Sequence, residues 1–138
     1  MTCSLLVVDD EPDLLFAMTQ LLHRRGYRVA GASTPQQALA VISRREIQIA
    51  LLDLSLTGMD GIELMRRMKR MQPDLQVIIL SGYDYPLWRA REEGAFGVIT
   101  KPCVLALLEG MITHACERGV DEYLPFDSPY SAKVECAQ

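Results

Sequence analysis

The fold is indicated first by residues 47–53, which read IQIALLD, a mostly apolar run that ends in the carboxylate of Asp53. A short apolar run of this kind is typical of a strand that is covered on both faces of a sheet. Similar runs at residues 5–8, 27–32, 76–80 and 97–100 alternate with amphipathic stretches. The alternation predicts five βα units built on one parallel sheet.

The stretches between the strands carry apolar residues at three- and four-residue spacing, as helices packed on a sheet do. The inward face expected of the first helix consists of Leu14, Met18, Leu21 and Leu22. The fourth helix, near residues 85–93, has the weakest stripe, and Trp88 is expected on its exposed side. Periodicity stops after Gly119, so residues 1–119 are expected to form one domain and residues 120–138 a C-terminal tail without an output domain.

Composition excludes several classes of protein. A length of 138 residues fits one domain, and a net charge of -4 argues against a main role in binding nucleic acid or an anionic membrane. No apolar stretch approaches the ~20 residues of a membrane span. The cysteines show neither zinc-ligand spacing nor a disulfide framework, which favours a reduced, cytoplasmic chain. They are Cys3, Cys103, Cys116 and Cys136.

Polar residues come directly after four of the five strand candidates. They are Asp9-Asp10-Glu11, Asp53, Ser81-Gly82 and Lys101-Pro102. Ligands of open parallel sheets bind outside the carboxyl ends of the strands, so these residues are expected at one edge. Carboxylates that converge there repel one another unless a cation neutralises them, and an oxygen-rich site suits Mg²⁺.

A phosphoryl group is the ligand that best fits this edge. A lysine and a hydroxyl opposite a metal ion can hold phosphoryl oxygens, the first through its charge and the second through a hydrogen bond. A carboxylate can serve as the nucleophile and form an aspartyl phosphate. Asp53 is the best candidate nucleophile because it ends a central buried strand.

Five short strings together resemble the receiver domains of bacterial two-component systems, over roughly residues 4–118. They are Val7-Val8-Asp9-Asp10-Glu11-Pro12, Leu51-Leu52-Asp53-Leu54, Met59-Asp60-Gly61, Ile79-Leu80-Ser81-Gly82 and Thr100-Lys101-Pro102. Each string alone is weak, but five in the family's order make a specific signal. The resemblance implies a doubly wound (βα)5, flavodoxin-like three-layer sandwich with a central five-stranded parallel sheet.

The resemblance also implies roles for individual residues. Asp53 would accept the phosphoryl group, and Asp10, Asp53 and the backbone carbonyl of Ser55 would bind Mg²⁺, with Asp9 assisting through water. Ser81 and Lys101 would contact the phosphoryl oxygens, and the bond between Lys101 and Pro102 would be cis.

The implied partners are a sensor histidine kinase or phosphotransfer protein and a downstream protein target, without direct contact to nucleic acid or membrane. A homodimer through helix four, strand five and helix five is a further expectation. The chain would be a signalling protein that catalyses only its own phosphorylation and dephosphorylation, and not an enzyme acting on other substrates.

The sequence departs from the family pattern at several positions. Thr57 stands where proline is usual, and Cys103 stands where an aromatic residue often comes after the Lys-Pro pair. Val98 occupies the position of the switch aromatic, three residues before Lys101. Phe96 is expected on the same face of the strand as Val98. We therefore predict that Tyr83 or Phe96 replaces the missing ring, or that the surface changes less on activation.

Other functions compete with a phosphorylated stand-alone receiver. The chain could be a receiver-like scaffold that is never phosphorylated, or the N-terminal receiver of a longer transcriptional regulator. The loop from Asp53 to Gly58 also resembles a cobalamin-binding loop, but Ser55 replaces the cobalt-ligating histidine. An aspartyl-phosphate phosphatase would want a second aspartate at position 55.

Overall fold

A computed structural model of the chain describes residues 3–56, 58–82, 85–102, 104–118 and 134–135. Thr57, Tyr83, Cys103, Cys136 and most of the predicted tail at 120–138 lie outside these ranges. The predictions made for those residues therefore stay predictions.

One parallel sheet forms the centre of the molecule, with its strands in the order β2-β1-β3-β4-β5-β6. The chain adds β2 on one side of β1 and then crosses to β3 on the other side, which is the topology of a doubly wound sheet. The strands are β1 Ser4–Val8, β2 Arg28–Ala32, β3 Ile49–Asp53, β4 Gln76–Ser81, β5 Gly97–Thr100 and β6 Val134–Glu135. The predicted five βα units are confirmed.

A helix comes after each of the first five strands, and together the helices cover both faces of the sheet. They are α1 Pro12–Arg24, α2 Pro35–Arg44, α3 Gly61–Met71, α4 Leu87–Glu92 and α5 Leu105–Arg118. Thr34 begins α2 with its hydroxyl accepting from the backbone N–H of Gln37, and Asp60 begins α3 by accepting from Ile62. In the described part of the chain, no helix combines the length and the hydropathy that crossing a bilayer requires.

The sheet separates two apolar clusters. One lies under α2, α3 and α4 and includes Leu52, Met65 and Val98. The other lies under α1 and α5 and includes Leu51 and Met111. Adjacent residues of a strand point to opposite faces, so neighbours such as Leu51 and Leu52 belong to different clusters. Burial on both faces explains why the central strands are apolar throughout.

A sixth strand extends the sheet beyond the five that were predicted. Val134 and Glu135 pair in parallel with Ile99 and Thr100 of β5. Two residues without a periodic pattern are too short to be recognised as a strand from the sequence.

The predicted inward face of α1 is partly wrong. Leu22 is buried, but Leu14 and Leu21 are 46% and 38% exposed. Leu15 and Met18 pack with Leu22 in the cluster beneath α1 and α5. Because α1 has apolar residues on more than one side, spacing alone does not determine which side meets the sheet.

The prediction that Phe96 shares a face with Val98 is also wrong. Val98 lies in the cluster under α4, whereas Phe96 lies in the cluster under α5, where its ring centroid is 6.3 Å from that of His114. Phe96 precedes the first residue of β5, so the two-residue alternation of a strand does not extend back to it. Among the described aromatic residues, Tyr85 is the one buried in the same cluster as Val98.

A disulfide joins Cys3, just before β1, to Cys116 in the last turns of α5. The Cα atoms of the two residues are 6.7 Å apart, within the range that disulfides span. The expectation that all four cysteines are reduced is therefore wrong for this pair in the structure. A separation of 113 residues gives no sequence signal that the two cysteines meet.

Candidate functional site

The end of β1 places Asp9 and Asp10 at the carboxyl edge of the sheet. Asp9 is 7% exposed, and its Oδ1 atom accepts a hydrogen bond of 2.9 Å from the backbone N–H of Glu11. Its own backbone N–H donates to the carbonyl of Ala32, the last residue of β2. These bonds fix Asp9 from two sides, and Oδ2 is directed toward Lys101.

Asp53 is the last residue of β3 and is only 4% exposed. Its Oδ1 atom accepts a hydrogen bond of 2.9 Å from the backbone N–H of Ser55, and its Oδ2 atom lies 2.6 Å from Nζ of Lys101. Both carboxylate oxygens are therefore held by donors. A carboxylate with a fixed orientation is suited to attack a bound electrophile without first reorganising.

Asp9, Asp10 and Asp53 together form a carboxylate cluster whose ligand oxygens lie within 4.8 Å of one another. Like charges at this distance repel strongly when two of the three groups are buried. Lys101 supplies one positive charge to three carboxylates, so the cluster as a whole keeps a negative balance. A divalent cation with oxygen ligands fits this donor set and this charge.

Lys101 comes directly after β5 and reaches across the edge to the carboxylate cluster. Its Nζ atom lies 2.6 Å from Asp53 and 3.7 Å from Asp9. Partial burial by itself lowers the pKa of Lys101, but the hydrogen bond to Asp53 and the charges of Asp53 and Asp9 outweigh it, so the pKa is raised. The ammonium group of Lys101 is therefore positively charged at neutral pH. The peptide bond between Lys101 and Pro102 is cis, as the resemblance implies.

Ser81 is the last residue of β4 and is fully buried. It lies opposite Thr100 in the register with β5, and its carbonyl accepts a hydrogen bond of 2.7 Å from the backbone N–H of Lys101. The backbone thus connects Ser81 to Lys101 directly. The structure brings Asp9, Asp10, Asp53 and Lys101 together and places Ser81 at the same edge.

Gly61 has a role at this edge that the sequence did not indicate. A Cβ atom on Gly61 would lie 2.9 Å from Cδ2 and 3.1 Å from Cα of Leu54, the residue after Asp53. The absence of a side chain therefore lets the start of α3 pack against the loop after Asp53. The pair Asp60-Gly61 is a common way to begin a helix, and no sequence signal distinguishes that use from close packing.

The family model of the response regulator receiver domain matches residues 5–113. This chain belongs to that family. A relative, sporulation initiation phosphotransferase F of Bacillus subtilis, is 31% identical over 100 residues, which cover 71% of this chain and 81% of that protein. The match settles the fold and the general class, and it leaves the cobalamin and phosphatase alternatives without support.

Some curated relatives are much longer than this chain. The C4-dicarboxylate transport transcriptional regulatory protein DctD of Rhizobium meliloti is 36% identical over 101 residues, which cover 72% of this chain but 22% of that regulator. The chain therefore spans less than a quarter of the length of that relative.

A solved response regulator from Burkholderia pseudomallei superposes with a TM-score of 0.73, at 28% identity, over 83% of this chain and 69% of that one. That structure contains a phosphorylated aspartic acid, a calcium ion and citrate.

Proposed function

We propose that this receiver accepts a phosphoryl group on Asp53 in a reaction that requires Mg²⁺. The observation that carries the proposal is the geometry around Asp53, which is buried, 2.6 Å from an ammonium group and within a cluster of three carboxylates. A response regulator of known structure that resembles the chain carries a phosphorylated aspartic acid and a divalent ion.

The residues at the carboxyl edge of the sheet supply the nucleophile and the groups that bind the phosphoryl oxygens. A carboxylate oxygen of Asp53 attacks the phosphorus of a phosphohistidine, the new P–O bond forms, and the P–N bond breaks, releasing the donor imidazole. Lys101 neutralises charge on the phosphoryl oxygens, and Ser81 donates a hydrogen bond to them. Asp10, Asp53 and the backbone carbonyl of Ser55 would hold Mg²⁺, with Asp9 assisting through water, and the ion would supply charge neutralisation.

Phosphotransfer to purified protein tests this proposal. Incubation with radioactive acetyl phosphate and Mg²⁺ should label the chain, EDTA should prevent labelling, and hydroxylamine should remove the label, because an acyl phosphate is cleaved by that nucleophile. Asp53→Asn should abolish labelling, whereas Asp74→Asn, a matched change at an exposed loop residue, should not. Labelling of Asp53→Asn at the normal level would contradict the assignment.

The physiological donor in this proposal is a histidine kinase or phosphotransfer protein of the cytoplasm, and the output is binding to a downstream protein. The same receiver chemistry would operate in a longer transcriptional regulator, an alternative favoured by the small share of DctD that the chain covers.

A receiver that is never phosphorylated in the cell is the remaining alternative. Mass spectrometry of the protein isolated from cells distinguishes it, because an occupied Asp53 adds the mass of one phosphoryl group.

We further propose that α4, β5 and α5 form the face through which a phosphorylated copy pairs with a second copy. Trp88 on α4 is 66% exposed and is the only tryptophan of the chain. Beryllofluoride, a phosphoryl mimic, should raise the mass measured by analytical ultracentrifugation, and Trp88→Ala should weaken that change. Met71→Ala, which removes another exposed apolar side chain at the end of α3, is the control.

A further inference from the structure

The pair of cysteines that the structure joins has no part in the phosphoryl chemistry. Cys3 lies just before β1, whereas Asp9 comes after the other end of that strand, about 20 Å away at the rise of a β-strand. Cys116 lies in the last turns of α5, a helix that begins just after Lys101 and Pro102. The disulfide therefore ties together β1 and α5 at the ends opposite to the carboxylate cluster.

The two cysteine residues differ in their exposure to solvent. Cys3 is 3% exposed and packs within the cluster under α1 and α5. Cys116 is partly exposed and lines a cavity of about 800 Å³ at the amino-end edge of the sheet. Arg44, Arg45 and Asp74 line the same cavity, so charges of both signs surround its entrance. A small molecule can approach Cys116 from this cavity, whereas the side chain of Cys3 is buried.

We propose that Cys3 and Cys116 form a reversible redox site, entered through the cavity beside Cys116 by a small-molecule disulfide such as oxidised glutathione. In the oxidised state the bond fixes the last turns of α5 to the beginning of β1. In the reduced state α5 keeps its non-covalent contacts, such as the packing of Ile112 and Ala115, but loses the covalent bond to β1. Both states keep the Asp53 edge intact, so the redox site acts on how firmly α5 is held and not on phosphoryl uptake.

The chemistry consists of two thiol–disulfide exchanges. The thiolate of Cys116 attacks one sulfur of oxidised glutathione, forms a mixed disulfide and releases one glutathione thiolate. The thiolate of Cys3 then attacks the sulfur of Cys116 and releases the second glutathione. The protein loses two thiol hydrogens and two electrons, and one glutathione disulfide becomes two thiols. In a reducing compartment the pair rests as thiols, and oxidation is the signal.

The order of these steps is tested by thiol trapping in a chain with Cys103→Ser and Cys136→Ser, which leaves two thiols. Oxidised glutathione should lower its mass by two hydrogens without a lasting adduct. Adding Cys3→Ala should leave a stable glutathione adduct on Cys116. Adding Cys116→Ala should leave Cys3 at least about tenfold slower to react, because its side chain is buried. Equal rates for the two single-cysteine chains, or two free thiols after oxidation, would overturn the proposal.

Stability and local exchange provide a second, independent measurement. The bond closes a loop of 113 residues, and oxidation should raise Tm by roughly 5–15 °C, reversibly with dithiothreitol. Oxidation should slow amide hydrogen exchange in the last turns of α5 by restricting local opening. Exchange at β4 requires global unfolding and should slow only as far as oxidation raises the global stability. A Tm change below about 2 °C would count against the tether. Labelling of Asp53 should be equal in both redox states, so failure of the redox proposal and failure of the phosphorylation proposal are distinguished.

Discussion

Asp10→Asn should make the protein more stable in the absence of divalent ions, which is the opposite of the usual effect of a point substitution. Asp10 lies within 4.8 Å of the carboxylate oxygens of Asp9 and Asp53. Two unit charges at that distance repel by about 3.5 kcal/mol at an effective dielectric constant of 20 and by about 0.9 kcal/mol in water. Asp10 is partly exposed, so the relief is expected between these limits, at about 1–3 kcal/mol.

The measurement is thermal unfolding at neutral pH in EDTA and in increasing Mg²⁺. In EDTA, Asp10→Asn should raise Tm by about 3–10 °C, given the usual relation between free energy and Tm for a domain of this size. Wild-type protein should gain about 1.4 kcal/mol when Mg²⁺ is ten times its dissociation constant, and the variant should lose most of that gain. The substitution should therefore raise the stability in EDTA and lower the stability gained from Mg²⁺, and both effects arise from the charges of the carboxylate cluster.

Asp74→Asn is the matched control, since it makes the same chemical change at an exposed residue outside the cluster. It should change neither the free energy of unfolding in EDTA nor the stability gained from Mg²⁺ by more than about 0.5 kcal/mol. A lower Tm of Asp10→Asn in EDTA would mean that Asp10 is not destabilised by repulsion from Asp9 and Asp53. A full response of the variant to Mg²⁺ would mean that Asp10 does not bind the ion.

Substitutions at three further positions test the packing around the edge and the cap of α2. Gly61→Ala places a Cβ atom against Leu54, so it should cost about 1–3 kcal/mol in urea unfolding and slow labelling by acetyl phosphate. Tyr85→Ala opens a cavity in the cluster that contains Val98 and should cost about 3–5 kcal/mol, and Tyr85→Phe, which keeps the ring, should cost far less. If the ring at Tyr85 replaces the missing switch aromatic, Tyr85→Ala should also reduce the beryllofluoride-induced change in tryptophan fluorescence. Thr34→Ala removes the side-chain cap of α2 and should cost about 1 kcal/mol without altering labelling.

The carboxylate cluster was predictable because strand ends are visible in the sequence. Apolar runs end at Val8 and Leu52, and parallel strands bring the residues after their carboxyl ends to one edge of the sheet. The positions of Asp9, Asp53 and Lys101 are therefore fixed by the strand order alone. The distances could not be predicted, since they depend on hydrogen bonds such as that from Ser55 to Asp53.

The wrong predictions concern residues whose environment is set by distant parts of the chain. Leu14 is exposed although its spacing suits an inward face, because α1 has apolar residues on more than one side and packs on the sheet with the side that carries Leu15 and Leu22. Phe96 faces α5 because it precedes β5 and lies outside the alternation of that strand. Cys3 and Cys116 meet because β1 and α5 are neighbours across one face, a contact that local patterns do not encode.

The backbone of the sheet keeps the two apolar clusters out of contact over the central strands. A bulkier side chain at Met65 can be accommodated only by neighbours on its own side, and Met111 on the other side is not disturbed. Each half of the interior can therefore be repacked without changing the other half. Replacements on opposite sides should combine additively, which makes each half a separate unit for engineering.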